Sequence, residues 1–354
     1  YEIGLGIPAE PLFRSSYMKK ILITTMLVIA AISVSAQRLR VGELGSGMTK
    51  KQLFDFGWQF THNGKTQSVD LPHDWDIFEG PNAGKGATGT GGGWFEAGKG
   101  EYRKKFRVVS LELRDKLVKL HFEGVYQKAD VYVNGQKAGQ HHYGYTPFTV
   151  DVTPYLYKDK RENEVVVKVD NSEQPNCRWY SGSGIYRHVW LETMPTLHIA
   201  ENGIFITTPE VNADNAQVQV DVTVQNESQA DRNATVVVGS AQLMVAVKAG
   251  ESKTVSTTIF VKNPHLWSPE SPTLYEAKVE LKEAGTVIDN ATAKYGIRSF
   301  SFDVENGFML NGKKVLINGA CVHHDDGVLG AMAFDNAEIR KVRQMKEAGF
   351  NLIR

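Results

Sequence analysis

Between about residue 50 and residue 200, apolar and polar side chains alternate with a period of two and show no helical period. That is the spacing of strands that bury one face, so this part of the chain is confined to sheet architectures. The clearest segments are "EYRKKFRVV" (101–109), "KLVKLHFEG" (116–124), "ADVYVNGQKAG" (129–139), "EVVVKVD" (164–170) and "IYRHVWLET" (185–193). Asn134-Gly135 predicts a two-residue hairpin turn, because both positions accept positive φ. Short strands divided by turns predict a β-sandwich or jelly roll. Two glycine-rich stretches, "NAGKGATGTGGGW" (82–94) and "WYSGSGIY" (179–186), fall between strands. Neither opens a helix after a strand, which argues against a phosphate-cradling loop.

A second strand-rich unit follows to about residue 300, with "AQVQVDVTVQNES", "ATVVVGS", "SKTVSTTIFV", "LYEAKVELKEAG" and "TAKYGIRSF". Its length and strand spacing fit an immunoglobulin-like sandwich without the Cys–Trp–Cys pattern of antibody domains. Past residue 300 the rhythm changes. Asn311-Gly312 predicts another hairpin, and an apolar strand is expected around Val315–Ile317. In "DNAEIRKVRQMKEAG", Asp335 and Glu338 read as a capping box. Ile339, Val342 and Met345 lie at helical spacing, and Gly349 sits where a helix would stop. "FNLIR" then reads as a second apolar strand. Strand, helix, strand implies a parallel pair. Two strands and one helix cannot cover both faces of a parallel sheet, so the third domain is expected to be the truncated start of a larger one.

The chain has 354 residues, enough for two or three domains. Lys+Arg and Asp+Glu balance at 40 each, which argues against nucleic acid or an anionic membrane as partner. Cys177 and Cys321 are far apart without metal-ligand spacing and are expected to be packed thiols. Met18 opens "MKKILITTMLVIAAISVSAQ": a basic start, a short apolar run, then Val34-Ser35-Ala36. This predicts a bacterial secretory signal over 18–36 and export to the periplasm or beyond. The apolar run is shorter than a membrane span needs, so no stable membrane insertion is expected after signal removal. No Cys follows the cut, which argues against a lipid anchor. Residues 1–17 read as an upstream extension.

"GACVHHDDG" (319–327) follows the first strand of the parallel pair, and Arg354 ends the second. In (β/α)8 barrels the functional residues lie at such strand ends. Two imidazoles and two carboxylates suit hydrogen bonds to a polyhydroxylated ligand or the binding of a metal; a solvated polar loop is the alternative.

An ordered set of motifs runs along the chain: "LPHDW" (71–75), "GEYRKKF" (100–106), "VYVNGQKAG" (131–139), "SGIYRHVWLE" (183–192), "PHLWSPESPTLY" (264–275), "YGIRSF" (295–300), "FMLNGKKVLINGACVHHDDGVLGA" (308–331) and "AGFNLIR" (348–354). Together they resemble glycoside hydrolase family 2, most closely its secreted bacterial β-galactosidases. The resemblance implies a multidomain, mainly β protein: a jelly-roll sugar-binding domain (50–198), an immunoglobulin-like sandwich (199–300) and the truncated start of a catalytic (β/α)8 barrel (301–354). It implies a retaining exo-β-glycosidase acting on β-galactosides, as oligosaccharide or glycan. β-Glucuronidase, β-mannosidase and a non-catalytic carbohydrate-binding adhesin module are the alternatives. "NLIR" opens a family signature that continues beyond it. The two catalytic glutamates are expected past Arg354, leaving the fragment inactive.

Residue by residue, His323 matches the family histidine that contacts the sugar, with His324 and Asp325 beside it. Arg354 matches the arginine that steadies the nucleophile's carboxylate. Arg178 stands where many members carry a sugar-binding Asp. Trp179 is read as a stacking ring or a packed loop aromatic, and Asp74 as a sugar contact or a turn and capping residue. Arg187 and Trp190 read as packing residues, His141 and His142 as surface residues, Asp326 as a turn residue and Trp267 as core. The family often carries Mg2+, Na+ or Ca2+ near its site, and homo-oligomers are expected of the full-length protein.

Overall fold

The structure, a computed structural model, describes residues 49–108, 115–159 and 161–354. The leader and the upstream extension expected from the sequence lie outside the described residues.

The first unit comprises β1 (Lys50–Leu53), β2 (Trp58–His62), β3 (Lys65–Val69), β4 (Gly98–Arg107) and β5 (Lys116–Phe122). It continues with β6 (Lys128–Val133), β7 (Gln136–His141), β8 (Phe148–Asp151), β9 (Glu162–Asn171) and β10 (Val189–Pro195). One sheet has the order β1-β10-β5-β8 and the other β3-β2-β4-β9-β6-β7. The two-residue alternation puts Tyr102 and Phe106, Val165, Val167 and Val169, and Leu120 and Phe122 into one core with Trp58 and Phe54. Each such side chain contributes roughly 1.5–3 kcal/mol by leaving water. The Asn134-Gly135 turn has φ of 50° and 80°, as a tight hairpin demands. β10 starts at Val189 instead of Ile185, because the preceding residues serve another contact: His73 N–H donates to Ile185 O at 2.8 Å. Two short helices lie between β3 and β4, α1 (Trp75–Glu79) and α2 (Gly89–Gly92).

The second sandwich holds β11 (Leu197–Val211), β12 (Asn215–Asn226), β13 (Arg232–Val238) and β14 (Ala241–Val247). It is completed by β15 (Ser252–Lys262), β16 (Tyr275–Glu283) and β17 (Thr286–Tyr295). Its sheets run β11-β12-β15 and β14-β13-β16-β17. Val218, Val220, Val222 and Val224 of β12 pack in a core with Val236, Val238 and Leu281. Asp289 ties the two sandwiches together: its carboxylate accepts from Thr49 N–H and Ile199 N–H, both at 2.9 Å.

Beyond the second sandwich, β18 (Phe300–Asp303), β19 (Gly307–Leu310) and β20 (Lys313–Lys314) form a small antiparallel sheet, with the expected turn at Asn311-Gly312 (φ 51° and 74°). β21 (Gly319–Ala320) and β22 (Leu352–Ile353) then pair in parallel across helix α3 (Asp335–Glu347). The pairing starts later than the apolar run suggests, so Val315–Ile317 is not ladder. The Asn351 side chain explains the offset: its Oδ1 accepts from Asn318 N–H at 2.8 Å and its amide donates to Leu316 O at 2.9 Å. Those backbone groups are satisfied by an amide instead of by a strand. The capping box is also corrected. Phe334 occupies the cap position, and Asp335 is the first helical residue, with no side-chain cap bond; Asp335 and Glu338 still place negative charge on the positive end of the helix. Gly349 has φ of 92°, in keeping with the expected stop. Cys321 is exposed and not packed, and Cys177 is half-buried with its thiol donating to Trp179 O at 3.1 Å. Among the described residues, no helix is long and apolar enough to cross a membrane.

Candidate functional site

The loop carrying "HHDDG" leaves β21 at the same end of the parallel pair as Arg354. Val322 N–H donates to Arg354 O at 2.8 Å, and Arg354 N–H donates to Ala320 O at 3.0 Å. The loop does not stand free. Residues 330–333 lie against the first sandwich: Ala331, Met332 and Ala333 are buried, Ala331 packs with Tyr126 and Tyr186, and Ala333 N–H donates to Tyr186 O at 2.9 Å.

Asp74 organises that junction. It is fully buried, and its carboxylate collects four donors from three segments. Oδ1 accepts from Ser183 N–H at 2.9 Å and, as the cap of α1, from Asp76 N–H at 3.2 Å. Oδ2 accepts from Ala331 N–H at 2.8 Å and from the Tyr180 hydroxyl. Burial pushes the carboxyl above its ordinary range, while the hydrogen bonds pull the other way. The approach depends on two glycines at positive φ. A Cβ on Gly182 (φ 65°) or Gly330 (φ 61°) would lie 2.6 or 2.5 Å from Asp74 Oδ2. This accounts for part of the glycine-rich "WYSGSGIY" stretch. In this arrangement Asp74 caps α1, and both of its oxygens accept from protein donors.

The carboxylate of Asp76 lies alongside, accepting from Ser183 Oγ at 2.6 Å and Ala97 N–H at 3.1 Å. Burial, reinforced by the neighbouring Asp74 charge, pushes it up to about 7.

The two histidines separate. The His324 ring sits among Tyr126, Tyr145 and Tyr186, with ring centroids 5.8, 5.3 and 5.0 Å away. Its Nε2 bonds Ser181 O. A carbonyl only accepts, so this nitrogen carries the proton; burial holds the imidazole below its ordinary pKa and keeps it neutral. His324 is therefore a latch between loop and sandwich. His323 lies instead against Trp179, with centroids 4.5 Å apart and planes tilted by 38°. Trp179 Nε1–H donates to the Tyr145 hydroxyl at 3.1 Å.

The structure thus brings together Trp179, His323 and His324, with the exposed Arg178 next in sequence to Trp179 and Asp325 exposed beside His324. Asp74 lies beneath them. Arg354 is exposed at the strand end, joined to the loop through its backbone. Arg187 and Trp190 both donate to Glu123, at 3.3 and 2.8 Å. His142 is exposed, while His141 is half-buried against Phe148. Trp267 is half-buried under the Arg298 guanidinium. Sequence reasoning missed Tyr145, Tyr180 and Ser183; the glycines flanking Ser183 were the available signal. Asp326 N–H closes the loop onto Gly330 O at 2.7 Å, while its Oδ2 is buried without a hydrogen-bond partner. Among the described residues, no group of three or more His, Cys, Asp or Glu is placed to hold a metal ion.

Two family models match in chain order. The sugar binding domain of glycosyl hydrolases family 2 covers residues 94–195, and a second model of glycosyl hydrolases family 2 covers residues 197–298. The chain belongs to glycosyl hydrolases family 2. It is 40% identical over 296 residues to the β-galactosidase BoGH2A of Bacteroides ovatus, covering 81% of this chain and 34% of that protein. A β-glucuronidase of Bacteroides fragilis is 31% identical over 359 residues, covering 93% of this chain and 48% of that one. The crystal structure of a family 2 member from Bacteroides cellulosilyticus superposes with a TM-score of 0.77 at 36% identity, over 86% of this chain and 42% of the other. This family 2 chain spans about a third to a half of the length of these relatives.

Proposed function

We propose that this chain forms the front of a retaining exo-β-glycosidase that removes terminal β-D-galactose, and that the protein is exported. The observation that carries the reading is the "HHDDG" loop at the end of a parallel strand, fastened to a sugar-binding sandwich by Asp74 and His324. On this reading β21, α3 and β22 open a (β/α)8 barrel whose later strands carry the acid/base and nucleophile glutamates. Retention needs those two carboxyl groups about 5–5.5 Å apart. One protonates the leaving oxygen while the other attacks the anomeric carbon, and water then releases the sugar from the covalent intermediate. His323 would contact the sugar, and the Arg354 guanidinium, a planar fork of donors, would steady the nucleophile. Neither His324 nor Asp74 touches the substrate.

β-Galactoside is favoured by the relative at 40% identity; relatives named β-glucuronidase make the β-glucuronide the second reading. The test is turnover of chromogenic β-galactoside and β-glucuronide by the 354-residue chain and by the same chain joined to the remainder of BoGH2A. The expected result is no turnover by the first and release from the β-galactoside by the second. Turnover by the first at the rate of a full-length enzyme, or preference of the second for the β-glucuronide, overturns it.

A further inference from the structure

The residues around His323 include an aromatic surface that the reaction described above does not use. Tyr143 is 57% exposed and Tyr145 is 38% exposed. The two rings meet edge to face at 5.8 Å, and the Tyr145 hydroxyl receives the Trp179 indole N–H. With His323 against Trp179, the four rings are linked in series from Tyr143 through Tyr145 and Trp179 to His323. Exposed aromatic rings are costly to leave in water and common where a ligand with apolar and polar faces binds.

The wall is held rigid from behind. Tyr145 donates on to the Tyr126 hydroxyl at 3.5 Å, and Tyr186 donates to Gly144 O at 2.7 Å. A Cβ on Gly144 would lie 2.3 Å from Tyr126, so the turn that presents both tyrosines fits only glycine. The loop carrying Trp179 is braced by the fully buried Asn171. Its amide donates to Ser183 Oγ at 2.8 Å, while its Oδ1 accepts from Gln174 and Asn176 at 2.9 and 3.0 Å. The polar atoms of Trp179 and Tyr145 are thus already paired, and fixed rings lose little entropy on binding.

The structure assigns Tyr143, Tyr145 and Trp179 to a sugar-stacking wall that seats the C–H face of a pyranose ring beside His323. This deepens the glycosidase reading and rests on it. The exposed Arg178, next in sequence to Trp179, adds donors for sugar hydroxyls beside the ring faces. That mixture suits a saccharide better than a lipid or an apolar peptide.

The experiment follows the Trp179 indole N–H signal of the 354-residue chain by two-dimensional NMR during titration with lactose, the signal being assigned through Trp179→Phe. Lactose is expected to shift this signal saturably. Tyr145→Ala should weaken binding by about 3–10-fold, the worth of one aromatic contact. Tyr145→Phe, which keeps the ring, should stay within about twofold of the wild type. Tyr143→Ala, at a more exposed position, is the companion variant should Tyr145→Ala disturb the fold, and is expected to weaken binding in the same direction. A Trp179 signal unmoved by lactose, or unchanged affinity in both alanine variants, overturns the wall. Lactose binding at Trp179 without hydrolysis by the extended chain would sink the glycosidase reading and leave the wall standing. Hydrolysis with an unmoved Trp179 signal would do the reverse.

Discussion

Asp74→Ala tests whether the first sandwich holds the "HHDDG" loop in place. The substitution removes one acceptor group from four donors: Ser183 N–H, Asp76 N–H, Ala331 N–H and the Tyr180 hydroxyl. A buried donor left unpaired costs about 1–3 kcal/mol. Four of them would give about 4 kcal/mol at the low end. Against this, alanine removes the cost of burying a carboxylate, which shows in the raised pKa of Asp74. The net expectation is about 3 kcal/mol, or roughly a hundredfold loss of local protection. Hydrogen exchange reads this directly at Ala331 and Ser183, which belong to different segments 148 residues apart in sequence. Both amides should lose protection together, while Val220 and Val222 in the second sandwich keep theirs. Asp74→Asn keeps the shape but turns an NH2 group toward two of the donors, so an intermediate loss is expected. Protection at Ala331 and Ser183 within about threefold of wild type would refute the staple.

Asp76 gives a pH signature. Its folded pKa of about 7 lies above the ordinary 3.8, so the folded chain keeps a proton that the unfolded chain releases. Its stabilisation is therefore complete below about pH 4 and is lost as pH rises through 7. Urea unfolding at intervals across that window should show wild type losing stability relative to Asp76→Asn; parallel profiles would contradict this. Asn351→Ala should loosen the entry to the parallel pair by about 0.5–1.5 kcal/mol, read as faster exchange at Asn318 N–H, and an unchanged rate would speak against the offset explained above. Asp289→Ala strips two amides of their acceptor: the part-buried Thr49 N–H, which reaches across from the first sandwich, and the buried Ile199 N–H within the second. It should cost about 2–4 kcal/mol and separate the melting of the two sandwiches in calorimetry; one unaltered transition would count against that coupling.

Much of the sheet architecture is legible because its causes are local. Asn134-Gly135 and Asn311-Gly312 turn where expected, since positive φ at both positions is a property of those two residues. The alternation in β4, β9 and β12 survives because each strand has one face against a core. Errors arise where a distant group decides. Val315–Ile317 has a strand's composition, yet Asn351 takes the backbone partners that a strand would use. Asp335 with Glu338 has the spacing of a capping box, but the chain enters α3 one residue earlier, at Phe334. The site shows the same limit. His323 and His324 are adjacent and chemically identical, and only Ser181, 143 residues away in sequence, makes one a latch while the other faces Trp179. The donors that enclose Asp74 come from three separate segments, so its own sequence neighbours could show the capping bond but not the rest.

A carboxylate whose donors come from residues 76, 180, 183 and 331 also restricts how such proteins can be recombined. A chimera that exchanges the first module at the border near residue 198 would match one parent's Asp74 with the other parent's backbone at 330 and 331, where only a glycine can come so close. Grafts that carry the 320s loop along with the module should assemble; those cut between the two should leave the loop adrift.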